Sequence, residues 1–275
     1  MSYTRNCFGH SVGHHRGVAI SVADIPTILL PGTGSDDDYL QRALAGPLQR
    51  AAARVITVAP EPRRLIAGYF EALDQALLAN PDGIAVGGVS IGAAAATRWA
   101  LAHQDRTVAV LAVLPPWTGA PHDAPASLSA RHTAQTLRRD GLDATTAAMR
   151  STSPGWLADE LARSWRRQWP ALPDAMEEAA AYVAPSADEL RALSVPLAVI
   201  GASDDAIHPV SVAADWASWA PRAALRTVRL ADFGPCPPLL GAACVDALQG
   251  INGSTPCRAS TAPPFRASTA PPFRR

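Results

Sequence analysis

Ser90 stands in Gly88-Val89-Ser90-Ile91-Gly92, a serine with a glycine two residues away on either side. A hydroxyl at the tip of a tight strand-to-helix turn can be presented clear of its own backbone and attack a carbonyl carbon. The glycines leave room for that turn. The motif gains its meaning from context. The β-like run Ile84–Val86 leads into it and the Ala-rich stretch Ala93–His103 leads out, and a helix starting at Ile91 aims the positive end of its dipole at the reacting centre. Further along, the run Leu197–Ile200 ends in Gly201-Ala202-Ser203-Asp204-Asp205-Ala206-Ile207-His208-Pro209, two carboxylates and an imidazole on one loop. Carboxylates there can orient a base, or simply cap a helix.

Such groups need a scaffold. Short apolar runs at Thr27–Leu30, Val55–Val58, Ile84–Val86, Val108–Leu114 and Leu197–Ile200, each closed by Gly, Pro or Asp or their neighbours, read as buried parallel strands. Leu225–Leu230 alternates like an edge strand. Between them, Tyr39–Ala53 and Arg64–Leu78 carry apolar residues at helical spacing. Strand–helix alternation predicts an α/β fold, a mostly parallel sheet flanked by helices, with its site at the carboxyl ends of the strands. From Trp117 to Leu193 the strand rhythm stops and only helical periodicity remains, which predicts a helical cap inserted after the Val108–Leu114 strand. Its stripe Leu157, Leu161, Trp165, Trp169 either packs on the domain or roofs a pocket.

The rest of the composition narrows the partners. Hydrophobic residues make up 48 % and charged residues 17 %, and 24 basic residues balance 24 acidic ones. A chain so balanced has no long-range attraction for nucleic acid or an anionic membrane. No apolar run reaches the roughly 20 residues of a membrane span, and the polar segment 1–23 lacks the apolar centre of a signal peptide. The scattered Cys7, Cys236, Cys244 and Cys257 suggest reduced thiols in a cytoplasmic protein, with Cys236 structural. His10, His14 and His15 sit among glycines and make a poor metal site. Asp36-Asp37-Asp38 reads as a solvated helix N-terminus. Domain residues are expected over 24–250. In 251–275 the sequence Arg258–Phe265 repeats as Arg266–Phe273, a Pro/Ser/Thr-rich tail expected to be disordered.

From about Ile25 to Gly250 the chain resembles the α/β-hydrolase superfamily: its G-x-S-x-G turn, the turn after the first strand, a helical cap, and then a strand ending in Gly, Asp and Pro. The resemblance implies Ser90 as nucleophile and Asp205 as the acid, with Asp204 its solvated neighbour. It implies an oxyanion hole from the Ile91 amide and one from Pro31-Gly32-Thr33-Gly34-Ser35, supplied by Thr33 or Gly34, although Pro31 stands where the family often has His. The usual N-terminal antiparallel hairpin is poorly represented before Ile25.

One departure is serious. The family places its His after the last strand, where this chain reads Ala231-Asp232-Phe233-Gly234-Pro235-Cys236-Pro237-Pro238, and no His follows His208. His208 is the first candidate for the base. A cap histidine is the second, His122 being better placed than His132. An incomplete triad is the third possibility. The expected function is hydrolysis of a carboxylic ester or thioester with an apolar acyl group, Trp117 and Trp165 lining the pocket. The alternative is a non-catalytic relative that binds ligand in the same pocket. No cofactor or metal is implied, and the expected partner is a small apolar ester-type substrate.

Overall fold

The computed structural model describes residues 20–251. His10, His14, His15, Cys7, Cys257 and the terminal repeat lie outside them, as do most of the polar N-terminal segment and the tail.

Strands β1 (Pro26–Leu30), β2 (Arg54–Thr57), β3 (Ile84–Val89), β4 (Thr107–Val113), β5 (Leu197–Ala202) and β6 (Ala223–Val228) form one six-stranded sheet in the order β2-β1-β3-β4-β5-β6. Every pairing is parallel. The central strands are apolar throughout because both faces are covered and side chains alternate between them. Ile28, Val86, Val110 and Val199 face a core closed by α3 (Leu65–Ala79), α4 (Ile91–Ala102) and α9 (Val210–Trp219). Leu29, Ala85, Leu111 and Ile200 face the other core. That side is closed by the helical stretch α1 (Asp37–Leu40), the π-turn Gln41–Ala45 and α2 (Gly46–Arg50), and by α11 (Pro238–Ile251).

Two strand expectations need correction. The Val55–Val58 run is not buried: β2 is an edge whose residues alternate between exposed and half-buried, with Ile56 48 % exposed. The last strand stops at Val228, and Leu230 instead opens the short helix α10 (Leu230–Phe233).

Between β4 and β5 come α5 (Pro125–Thr152), α6 (Gly155–Gln168), α7 (Leu172–Ala181) and α8 (Ala187–Arg191), with no strand among them. Helix α5 is broken at Gly141, whose φ of 80° only glycine adopts easily. The insertion has a small core of its own, built on Ala134, Leu137, Trp165, Leu172 and Met176. Polar bonds fasten it to the sheet domain. Helix α3 has no N-cap side chain, and Glu178 of α7 supplies one, accepting from the Leu65 and Ile66 amides at 2.8 and 3.2 Å. A carboxylate there also complements the α3 dipole.

The Asp36-Asp37-Asp38 run is a second fastening, and the expectation of a solvated terminus fails for Asp36. It is the N-cap of α1, accepting from the Tyr39 amide, yet it is 1 % exposed. Arg163 of α6 grips both of its oxygens at 2.7 and 2.8 Å, and Arg167 adds a bond at 3.0 Å. Burial pushes the Asp36 carboxyl up, but the hydrogen bonds from Arg163 and Tyr39 and the two guanidinium charges outweigh it and hold the pKa below its ordinary value. Asp36, Asp38 and Glu160 lie close enough together to hold a cation. Arginines already fill that role: Arg42 and Arg163 both pair with Asp38 and with Glu160.

Candidate active site

Ser90 sits between β3 and α4 with φ 54° and ψ −118°, a conformation that costs a non-glycine residue about 1–3 kcal/mol. The backbone enters through β3 and leaves at once into α4, and no room remains on either side. A Cβ on Gly88 would be driven into the Leu30 carbonyl of the neighbouring strand, and a Cβ on Gly92 into the Leu30 and Pro31 carbonyls. Because the obstacles are backbone atoms, they cannot swing away. Gly92→Ala is therefore expected to destabilise the fold by about 3 kcal/mol, the upper end of ordinary overpacking. A shift in urea midpoint below the equivalent of about 1 kcal/mol would contradict the packing.

The loop after β5 delivers the other two groups. Asp205 Oδ1 accepts from the Ile207 and His208 amides at 2.8 and 3.2 Å, which folds the loop back on itself. The His208 ring then spans from Asp205 to Ser90, with Nδ1 2.8 Å from Asp205 Oδ2 and Nε2 2.9 Å from Ser90 Oγ. A carboxylate only accepts, so Nδ1 carries the proton and donates to Asp205. Nε2 is left with a lone pair for the Ser90 hydroxyl. Burial pushes the Asp205 carboxyl up, but the hydrogen bond and charge of His208, with the two amides, outweigh it and hold the pKa below its ordinary value. Asp204 points away from this relay. Its carboxylate accepts from the Leu230 and Ala231 amides and ties the loop to the start of α10.

Ser90, Asp205 and His208 open onto a cavity of about 840 Å³ roofed by the helical insertion. Thr33, Trp117 and Trp165 line it as well. Ile91 is the first residue of α4, directly after Ser90, and the Ile91 and Thr33 amides make no hydrogen bond to the chain among the described residues. Gly34 has φ 73° and lies against the Trp165 indole rather than in the lining. The Leu157–Trp169 stripe divides: Leu157, Leu161 and Trp165 line the cavity, whereas Trp169 lies just past α6 and is 39 % exposed.

The remaining candidates are rearranged. His132, not His122, lines the cavity among the described residues. His103 caps the far end of α4 and stacks on Trp99. After β6, where the resemblance places an imidazole, Leu230 and Phe233 contribute apolar lining. Cys236, expected to be structural, is an exposed free thiol, whereas Cys244 is buried. No described helix is long and apolar enough to cross a membrane. Nothing in the sequence announced the Asp36–Arg163 clasp, since its partners are 127 residues apart.

No family model matches the chain, and no curated protein matches it. Solved structures do. The chain is similar to a structure from work on carboxylesterases of the ammonia-oxidizing thaumarchaeon Nitrososphaera gargenis, with a TM-score of 0.61 at 17% identity over 76% of this chain and 83% of that one. A hydrolase from Pseudomonas aeruginosa PA01 gives 0.60 at 18% identity over 81% and 89%. The enol-lactonase of Burkholderia xenovorans LB400 gives 0.57 at 17% identity over 75% and 83%. At such identities the likeness is one of architecture.

Proposed function

The chain has the α/β-hydrolase fold, and from that premise we propose that it hydrolyses a carboxylic ester or thioester with an apolar acyl group. The observation that carries this reading is the unbroken hydrogen-bond chain from Asp205 through His208 to Ser90, opening onto an apolar cavity. In the proposed reaction Ser90 Oγ attacks the carbonyl carbon while its proton passes to His208 Nε2. Asp205 holds the ring in the tautomer that can take that proton and offsets the charge that results. The carbonyl oxygen becomes an oxyanion held by the Ile91 and Thr33 amides, neither of which bonds to the chain among the described residues. Collapse expels the alcohol or thiol, which takes the proton from His208. Water, activated by the same ring, then frees the acid.

Neutral substrates fit best. The lining includes Glu160 and Asp205 and no Arg or Lys, so an anionic acyl group would meet no guanidinium or ammonium counter-ion there. The free thiols Cys236 and Cys244 accord with a reducing compartment, and the cytoplasm is our proposed location.

The test is labelling with an alkyl fluorophosphonate alongside a panel of p-nitrophenyl esters from acetate to laurate. Labelling of Ser90, absent in Ser90→Ala, and turnover that rises with chain length are expected. Tight ligand binding without labelling or turnover would replace this reading with that of a non-catalytic binding protein.

A further inference from the structure

The loops after β5 and β6 run side by side, because the two strands pair in parallel up to Ala202 and Val228. Asp204 locks them together through the Leu230 and Ala231 amides, which sets α10 next to the loop that carries Asp205 and His208. Where the two loops meet, Ile207, Leu230 and Trp156 line the cavity. The Trp156 indole lies on Gly234, just past α10, so closely that a Cβ there would come within 2.3 Å of the ring. Phe233 backs the indole edge-on, with 6.2 Å between ring centroids.

This apolar wall is open rather than hidden in a core. Leu230 and Trp156 are half-buried, and Ile207 is 41 % exposed. Among the described residues, Ile207 is the one large apolar side chain of such exposure that also lines the cavity. Its amide is tied to Asp205 Oδ1 and His208 follows it directly, so its place beside the imidazole is fixed. Apolar surface held open next to reacting groups gains its stabilisation only when a ligand covers it.

We propose that this wall is the subsite for the leaving group, and that it takes a neutral, apolar alcohol or thiol carrying an aromatic ring. The proposal rests on the reading of Ser90 as nucleophile and His208 as base. When the tetrahedral adduct collapses, the bond from the carbonyl carbon to the leaving oxygen or sulfur breaks. That atom departs with the electron pair and takes the proton held on His208 Nε2, so it must come within hydrogen-bond reach of Nε2. The carbonyl oxygen is meanwhile turned to the Ile91 and Thr33 amides. Whatever the leaving atom carries then lies beside His208, against Ile207 and, across the joined loops, Leu230 and the Trp156 indole. An indole favours an aromatic partner beyond the area it covers. The lining has no Arg or Lys to pair with a phosphate or carboxylate on that group.

Binding to Ser90→Ala protein tests the subsite without requiring turnover. The probes are methyl hexanoate, benzyl hexanoate and the isomer of the latter, a methyl hexanoate with the phenyl ring at the far end of its acyl chain. Benzyl hexanoate is expected to bind about thirtyfold tighter than methyl hexanoate, the worth of about 80 Å² of ring withdrawn from water. Trp156→Ala with Ile207→Ser, on the Ser90→Ala background, should bring that ratio towards one. The same pair should leave the ratio of the ring-bearing acyl isomer to methyl hexanoate unchanged. Urea midpoints check folding. If Trp156→Ala does not fold, Ile207→Ser alone carries the test, with a fall of at least about threefold in the benzyl ratio. Equal affinity for benzyl and methyl hexanoate, no binding of either, a benzyl preference that survives the substitutions, or an equal loss for both isomers would overturn the proposal. Wild-type turnover separates it from the reading beneath it. Hydrolysis of methyl hexanoate with no benzyl preference in binding keeps Ser90 as nucleophile and removes the subsite. A benzyl preference lost in the variants, with neither hydrolysis nor labelling, keeps an apolar pocket but overturns both the nucleophile and the leaving-group role.

Discussion

Replacing His208 with alanine is expected to lower kcat on an activated ester about a millionfold, as much as Ser90→Ala, with no further loss in the double variant. The equality follows from the geometry. Among the described residues Ser90 Oγ has one imidazole within hydrogen-bond reach, at 2.9 Å, and without it none of them offers a base to take its proton. Asp205→Asn should cost about ten-thousandfold, because the amide no longer fixes the proton on Nδ1. Asparagine keeps an oxygen for the Ile207 and His208 amides, so the loop fold survives and the loss reports on the ring alone. The Asp205 carboxyl titrates below its ordinary value, so its support is complete above the unfolded pKa of about 3.9 and is lost only as pH falls through the lower folded value. If His208→Ala kept turnover within about tenfold of wild type, the base would have to be sought elsewhere, and among the described residues His132 is the other imidazole in the cavity lining.

Much of this arrangement is legible in the sequence, for definite reasons. Ile28, Val86, Val110 and Val199 betray buried strands because a sheet covered on both faces has no polar positions to interrupt the run. Gly88 and Gly92 mark the turn because the Leu30 carbonyl leaves no space for a side chain. Asp205 and His208 are three residues apart, so a single tight loop can bring them together. What the sequence hides is burial and long-range pairing. Val55–Val58 has the composition of a central strand but lies at an edge, and no local pattern reports strand order. Asp36 has the composition of a solvated terminus, and its burial depends on two arginines on a helix that folds over it from the insertion. Periodicity could not say whether Trp165 packs or lines a pocket. It does both, being 4 % exposed, in the small core of the insertion, and in the cavity wall.

The clasp carries the second large effect. Removing both of its arginines, Arg163→Ala with Arg167→Ala, is expected to destabilise the fold by about 3 kcal/mol at neutral pH, because Asp36 is then a buried carboxylate beside those of Asp38 and Glu160, with the Tyr39 amide as its remaining donor. The lower end of the range for broken buried pairs applies, since the arginine heads are partly solvated. Asp36→Ala alone should cost less, about 1 kcal/mol for the lost N-cap, because the stranded arginines can turn to water, Asp38 and Glu160. Adding Asp36→Ala to the double arginine variant should then restore part of its stability, a sign that simple loss of contacts would not give. The pH dependence runs the same way. Asp36 has a depressed folded pKa, so its stabilising contribution is present above about 3.9 and disappears as pH falls through the folded value. The gap in urea midpoint between wild type and the double arginine variant should therefore narrow between neutral pH and about pH 3.5. A gap that stays constant over that interval, or a triple variant no more stable than the double, would mean that Asp36 is not held as a charged group by α6. The insertion would then be fastened to the sheet domain by Glu178, by the Arg98–Glu189 pair, by Gln168 on the Ser35 carbonyl and by apolar packing.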